Sequence, residues 1–127
     1  MVLAGDLNTG PALAGRATPQ LPLHYARFEA AGFESPYAAQ GDARCTYCFD
    51  NPLIGRRAGG LLIDHVLVRG FAGTARARRV LDRPSAITVD GAERITPPSD
   101  HYGVSVSLSP ASPSDAARST GAASSPR

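Results

Sequence analysis

The residues best suited to chemistry fall into three short stretches. They are Gly5-Asp6-Leu7-Asn8, Ile63-Asp64-His65-Val66 and Ser99-Asp100-His101-Tyr102-Gly103. Each sets an ionisable or amide side chain beside a run that reads as buried strand. A buried carboxylate without a partner is costly. Asp64, amid the apolar LLIDHVLV, therefore needs one, and a histidine from another strand would serve. Taken singly, each stretch has a plain explanation. Asp6 and Asn8 could turn the chain after a strand, Asp64 could be a satisfied core carboxylate, and His101 a loop histidine. Together, in this order and at strand ends, they are the parts of a hydrolytic site. In such a site a histidine acts as base or charge stabiliser and a buried Asp fixes its tautomer. The other oxygens hold a hard cation and position water.

The remaining reactive residues carry less. Cys45 and Cys48 form a single C-x-x-C pair, and structural zinc wants four ligands. Flanked by Gly41, Asp42, Asp50, Asn51 and Pro52, they read as two loop thiols, with a local disulfide as the alternative. All 13 basic residues are Arg. Guanidinium forks suit phosphate, but a chain-wide Arg, Ala and Gly bias explains this more simply. A net charge of +2 argues against a strongly basic nucleic-acid platform.

These residues need elements to position them. Met1 to Gly5 reads as a buried strand delivering Asp6, and Asn8 to Pro22 as loop. Leu23 to Ala31 has helical spacing, with Leu23, Ala26 and Ala30 on one face and Tyr25 and Phe28 at its edges. Gly32 stops it. Glu34 to Gly60 reads as long loop. Leu61 to Val68 is the strongest strand. Arg76 to Leu81 and Ala86 to Val89 read as a hairpin or edge pair turning at Arg83-Pro84-Ser85. Thr96-Pro97-Pro98-Ser99 is a rigid loop, and Val104 to Leu108 a half-buried strand. From Ser109 to Arg127 nothing larger than Ala is available to bury, so residues 109–127 are expected to be a disordered tail. No apolar run is long enough to cross a membrane. Strands with an intervening helix and long crossovers favour a mixed α/β or α+β sheet.

With GDLN, IDHV and SDHYG in this order, the chain resembles the later half of the endonuclease/exonuclease/phosphatase superfamily. The resemblance covers residues 1–108. It implies an α/β (α+β) fold, half of a two-sheet β-sandwich flanked by helices, and metal-dependent hydrolysis of a phosphate ester, most simply a phosphodiester. Asp6 would orient or activate the attacking water, or protonate the leaving oxygen. Asn8 would bind the scissile phosphate. Asp64 would orient the imidazole of His101, and Asp100 would help bind the divalent ion, Mg²⁺ or Mn²⁺. His101 would contact the phosphate as base or electrostatic stabiliser. His65 lies outside this set and reads as a packing or rim residue.

The resemblance also implies an earlier half of the same domain, which supplies an Asn, the principal metal-binding Glu and a further His or Tyr. The glutamates here, Glu29, Glu34 and Glu93, read as solvated charges. The chain is therefore expected to be a fragment or a decayed half-domain, poorly stable alone because one sheet face is uncovered, and nearly inactive. Any targeting signal would lie in the missing part, leaving cytoplasmic and secreted locations open. The substrate could be a nucleic acid, a phospholipid headgroup or a small molecule. Arg76, Arg78, Arg79 and Arg83 form the basic cluster, which reads equally as a solvated edge strand. The alternative to an enzyme is a vestigial binding module.

Overall fold

A computed structural model describes residues 1–55 and 59–111. Among these residues strand dominates, with one short helix. The strands are β1 (Val2–Asp6), β2 (Tyr47–Cys48), β3 (Gly60–Leu61), β4 (Asp64–Val68), β5 (Gly73–Val80), β6 (Ser85–Val89), β7 (Ala92–Thr96) and β8 (Gly103–Pro110). They form antiparallel pairs β1–β4, β2–β3, β5–β8 and β6–β7. The β1–β4 ladder sets Asp6 directly opposite Asp64. β4 also contacts β8, and His101, two residues before β8, reaches Asp64 at the start of β4.

The expected strand over Leu61 to Val68 is broken. Leu62 is wholly buried and joins Leu13, Tyr37 and Ala43 in the main core cluster. The N–H groups of Ile63 and Asp64 donate to the Thr46 hydroxyl, both at 3.1 Å. That side chain thus takes the place of a neighbouring strand. On one side of the break β3 pairs with β2, and on the other β4 pairs with β1. Glu34 bridges to the far edge of β4 at Val68, and its side chain is exposed.

α1 (Pro22–Ala30) starts at a proline, whose fixed φ suits the first helical position. It ends in a Schellman turn. Gly32, at φ 79°, donates to the carbonyl of Glu29 and Phe33 to that of Phe28, at 2.8 and 3.0 Å. The face it buries differs from the spacing of its aliphatic residues. Tyr25 is the buried residue, while Leu23 is 80% exposed and Ala26 and Ala30 face solvent. An aromatic ring offers more area to bury than the alanines, and Tyr25 packs on the His65 ring with centroids 5.1 Å apart.

Two other expectations are corrected. β5 does not form a hairpin with β6. It pairs along its length with β8, from Gly73 opposite Pro110 to Val80 opposite Gly103. β6 instead makes a hairpin with β7 through Asp90-Gly91, at φ 52° and 76°, the geometry that favours Asp-Gly between two strands. Glu93 accordingly lies in a strand, exposed as expected. β8 also extends past Leu108, so Ser109 and Pro110 are strand rather than the start of a tail. Proline is tolerated there because a strand end needs no donor from it. The rest of the expected tail, 112–127, lies outside the described residues. No described helix is long and apolar enough to cross a membrane.

Candidate functional site

Asp6, Asp64 and His101 converge. One ligand atom from each lies within 4.8 Å of the others. Asp6 comes from the end of β1, Asp64 from the start of β4, and His101 from the loop between β7 and β8. His101 Nδ1 is 2.9 Å from Asp64 Oδ2. An ionised carboxylate can only accept, so Nδ1 carries the proton and donates, leaving Nε2 as the other ring nitrogen. Both side chains are partly buried, at 27% exposure for His101 and 19% for Asp64, whereas Asp6 is exposed. The site is therefore anchored at one side and open at the other.

Each arm is held locally. The Asn8 N–H donates to Asp6 Oδ1 at 2.9 Å, an Asx turn that fixes the carboxylate. Asn8 sits at φ 50°, a left-handed conformation that Asn tolerates better than most residues. The His101 loop is pinned from two sides. Asn51, fully buried, donates from Nδ2 to the carbonyls of Ser99 and Asp100 at 3.1 and 3.2 Å. The Tyr102 N–H donates to the Thr46 carbonyl at 2.8 Å. Thr46 thus ties both arms together, through its hydroxyl to Asp64 and through its carbonyl to the residue after His101. Tyr47 packs its ring on His101, with centroids 4.9 Å apart.

Of the residues singled out by sequence, the structure brings Asp6, Asp64 and His101 into one group and places Asn8 beside it through its backbone. Asp100 follows the same loop, but its carboxylate is not in the group. It is exposed, next to the Ser99 hydroxyl. Glu29, Glu34 and Glu93 are likewise outside. His65 is buried in the packing role expected of it, with Nε2 2.8 Å from the Thr9 carbonyl, so Nε2 donates. Burial pushes its pKa down, against the opposing effect of that carbonyl and of Asp64.

Sequence reasoning missed Thr46, Asn51 and Arg79. Thr46 and Asn51 look like ordinary polar loop residues, and only their complete burial distinguishes them. Arg79 was grouped with a solvated cluster. Its guanidinium instead turns inward, lying over the Tyr102 ring at 4.7 Å and donating to the Cys45 carbonyl and Asp82, both at 3.2 Å. The loop thiols expected at Cys45 and Cys48 are corrected to a disulfide, with the two Cα atoms 5.2 Å apart. The tight turn around Thr46-Tyr47 brings the sulfurs together.

Two carboxylates directly opposite each other on paired strands repel, and the pair needs positive charge nearby. The Nδ1–H of His101 meets one of the two carboxylates, and a bound cation would meet both. The donors are mainly carboxylate oxygens, which suit a hard cation. No protein-family model, curated protein or solved structure matches the chain.

Proposed function

We propose that this chain carries part of the catalytic centre of a metal-dependent phosphate-ester hydrolase of the endonuclease/exonuclease/phosphatase type. A phosphodiester is the favoured substrate. The observation that carries the reading is the convergence of Asp6, Asp64 and His101 from three separated stretches of chain. The order of the GDLN, IDHV and SDHYG motifs supports it. The corresponding architecture is half of a two-sheet sandwich, and the contact of β4 with β8 is compatible with it.

In this reading Asp64 holds the Nδ1–H of His101, so that Nε2 faces the chemistry as base or, when protonated, as a donor to the phosphate. Asp6 orients the water or serves the leaving oxygen, and Asn8 binds a non-bridging oxygen. Mg²⁺ or Mn²⁺ would be held by Asp6 and Asp64, with a contribution from Asp100 implied by the family resemblance alone. When bound, the ion neutralises charge on the phosphoryl oxygens. Nucleic acid, phospholipid headgroup and small phosphodiester all present this group.

One observation favours a second reading, a site that binds cation and phosphate without turnover. None of the glutamates joins the group, so the family's principal metal carboxylate has no counterpart there. The assay that separates the two is hydrolysis of bis(p-nitrophenyl) phosphate by the purified chain in Mg²⁺ or Mn²⁺. A slow rate abolished by EDTA and by His101→Ala is the expected result. No turnover above background, or turnover indifferent to both treatments, would exclude the hydrolase reading for this chain.

A further inference from the structure

The Cys45–Cys48 disulfide spans the two residues that organise the site. Between the sulfurs lie Thr46, which ties Asp64 to the His101 loop, and Tyr47, whose ring supports His101. A covalent loop this small holds both in one conformation. Its opening would free the Thr46 hydroxyl and carbonyl from three backbone donors, Ile63, Asp64 and Tyr102.

The surroundings also favour attack by an incoming thiol. Both cysteines line a groove of about 350 Å³, together with Arg16, Arg44, Arg79 and Asp50. Three guanidinium groups against two carboxylates, Asp50 in the lining and Asp82 paired with Arg79, leave the groove net positive by a single charge. Arg16 is held in place by the carbonyls of Gly41 and Ala43. The two residues are unequally buried. Cys45 is 8% exposed and Cys48 only 1%. The Arg79 Nη1 lies 3.4 Å from Cys48 Sγ, where it stabilises negative charge on that sulfur. Exchange is fastest when the more accessible sulfur is attacked and the other leaves as a stabilised thiolate.

We propose that Cys45–Cys48 is a modification site for a small anionic thiol, and that its opening loosens the Asp6–Asp64–His101 group. This rests on the functional reading above. The incoming thiolate attacks Cys45 Sγ. The Cys45–Cys48 bond breaks, and its electron pair goes to Cys48 as a thiolate beside Arg79. A second equivalent of the same thiol attacks the mixed disulfide, forms the oxidised thiol dimer and releases Cys45, which takes a proton from water. Two thiols thus supply the two electrons.

Three measurements on the intact chain test this. First, a brief exposure to glutathione, followed by acid quench and alkylation, is read by peptide mass spectrometry. Glutathione on Cys45 and alkyl on Cys48 is expected, and the reverse arrangement overturns the proposal. Second, the rate of disulfide opening is compared between glutathione, which is anionic, and cysteamine, which is cationic, at equal thiolate concentration and low salt. The anionic thiol should be at least about tenfold faster, with the gap narrowing as salt is added. Equal or faster reaction with cysteamine overturns the anionic preference. Third, amide exchange of Ile63, Asp64 and Tyr102 is followed in oxidised, reduced and reoxidised chain. Exchange about tenfold faster after reduction, and reversed on reoxidation, is expected. Unchanged protection overturns the link to the site, and a Cys45→Ala/Cys48→Ala chain should match the reduced state. These readouts need no bound ion. Failure of the oxidised chain to bind Mn²⁺ would therefore sink the functional reading and leave the redox result standing on its own.

Discussion

Replacing Asp64 by Asn is expected to lower metal-dependent phosphodiester hydrolysis by on the order of 10³-fold, enough to take a slow enzyme to background. The reason is local. Asp64 Oδ2 accepts the Nδ1–H of His101 at 2.9 Å, and the carboxylate fixes which ring nitrogen is protonated. An amide can present its NH₂ to Nδ1 instead, favouring the other tautomer and placing a proton where a lone pair is needed. The substitution also removes a charge from the ion-binding group. Backbone structure should survive, because the Asp64 N–H to Thr46 bond is untouched. Two measurements check this together. The rate is measured at saturating Mg²⁺, and the His101 ring nitrogens are read by NMR, where protonation should move from Nδ1 to Nε2. A rate within threefold of the parent, with the tautomer unchanged, would remove Asp64 from the site.

Gly10→Ala is expected to destabilise the fold by more than about 3 kcal/mol, a large part of what a small domain has. A Cβ at Gly10 would sit 1.7 Å from the Leu62 carbonyl oxygen and 3.4 Å from His65 Nε2. Neither neighbour can give way. Leu62 is fully buried in the core, and His65 is clamped between the Thr9 carbonyl and the Tyr25 ring. The segment after Asn8 would have to lift off β4, carrying the Asp6 turn with it. Thermal melts by circular dichroism provide the comparison, with Gly41→Ala as a control whose Cβ meets nothing within 4 Å. The control should melt close to the parent, and the Gly10 variant should be unfolded or melt far lower. A Gly10 variant melting within two or three degrees of the parent would contradict the close packing described here.

Much of this was legible in the sequence because it depends on local pattern. MVLAG ending at Asp6 announces a strand that delivers a carboxylate, and β1 does end there, but it is largely exposed rather than buried as its apolar run suggests. Gly32 announces the end of α1. The polar pair Asp64 and His65 in an apolar run marks a special strand, and Asp64 needs a partner on burial grounds alone. The partner is long-range, 37 residues away, and reasoning from chemical need rather than from spacing picked out its type.

What was not legible depends on tertiary pairing. Nothing within Gly73 to Val80 says that its partner is β8 rather than β6, since both mix apolar with small polar residues. The Asp90-Gly91 turn was a readable hairpin signal that reasoning from Arg83-Pro84-Ser85 overlooked. The helix face was misjudged because aliphatic spacing outvoted one tyrosine, whereas burial follows the ring that finds a partner. Thr46 and Asn51 are invisible in sequence because their roles consist of bonds to backbone groups far along the chain. The disulfide ranked behind two open thiols for the opposite reason, since a C-x-x-C spacing is compatible with both open and closed forms.

The claim that Asp6, Asp64 and His101 form one cation-dependent centre is tested most directly by Mn²⁺ titration of the oxidised chain, followed by the relaxation of water protons. Saturable binding of one ion is expected, weakened about 10- to 100-fold in Asp6→Asn and in Asp64→Asn, and selectively broadening the His101 ring signals. No saturable binding, or binding that neither substitution alters, would contradict it.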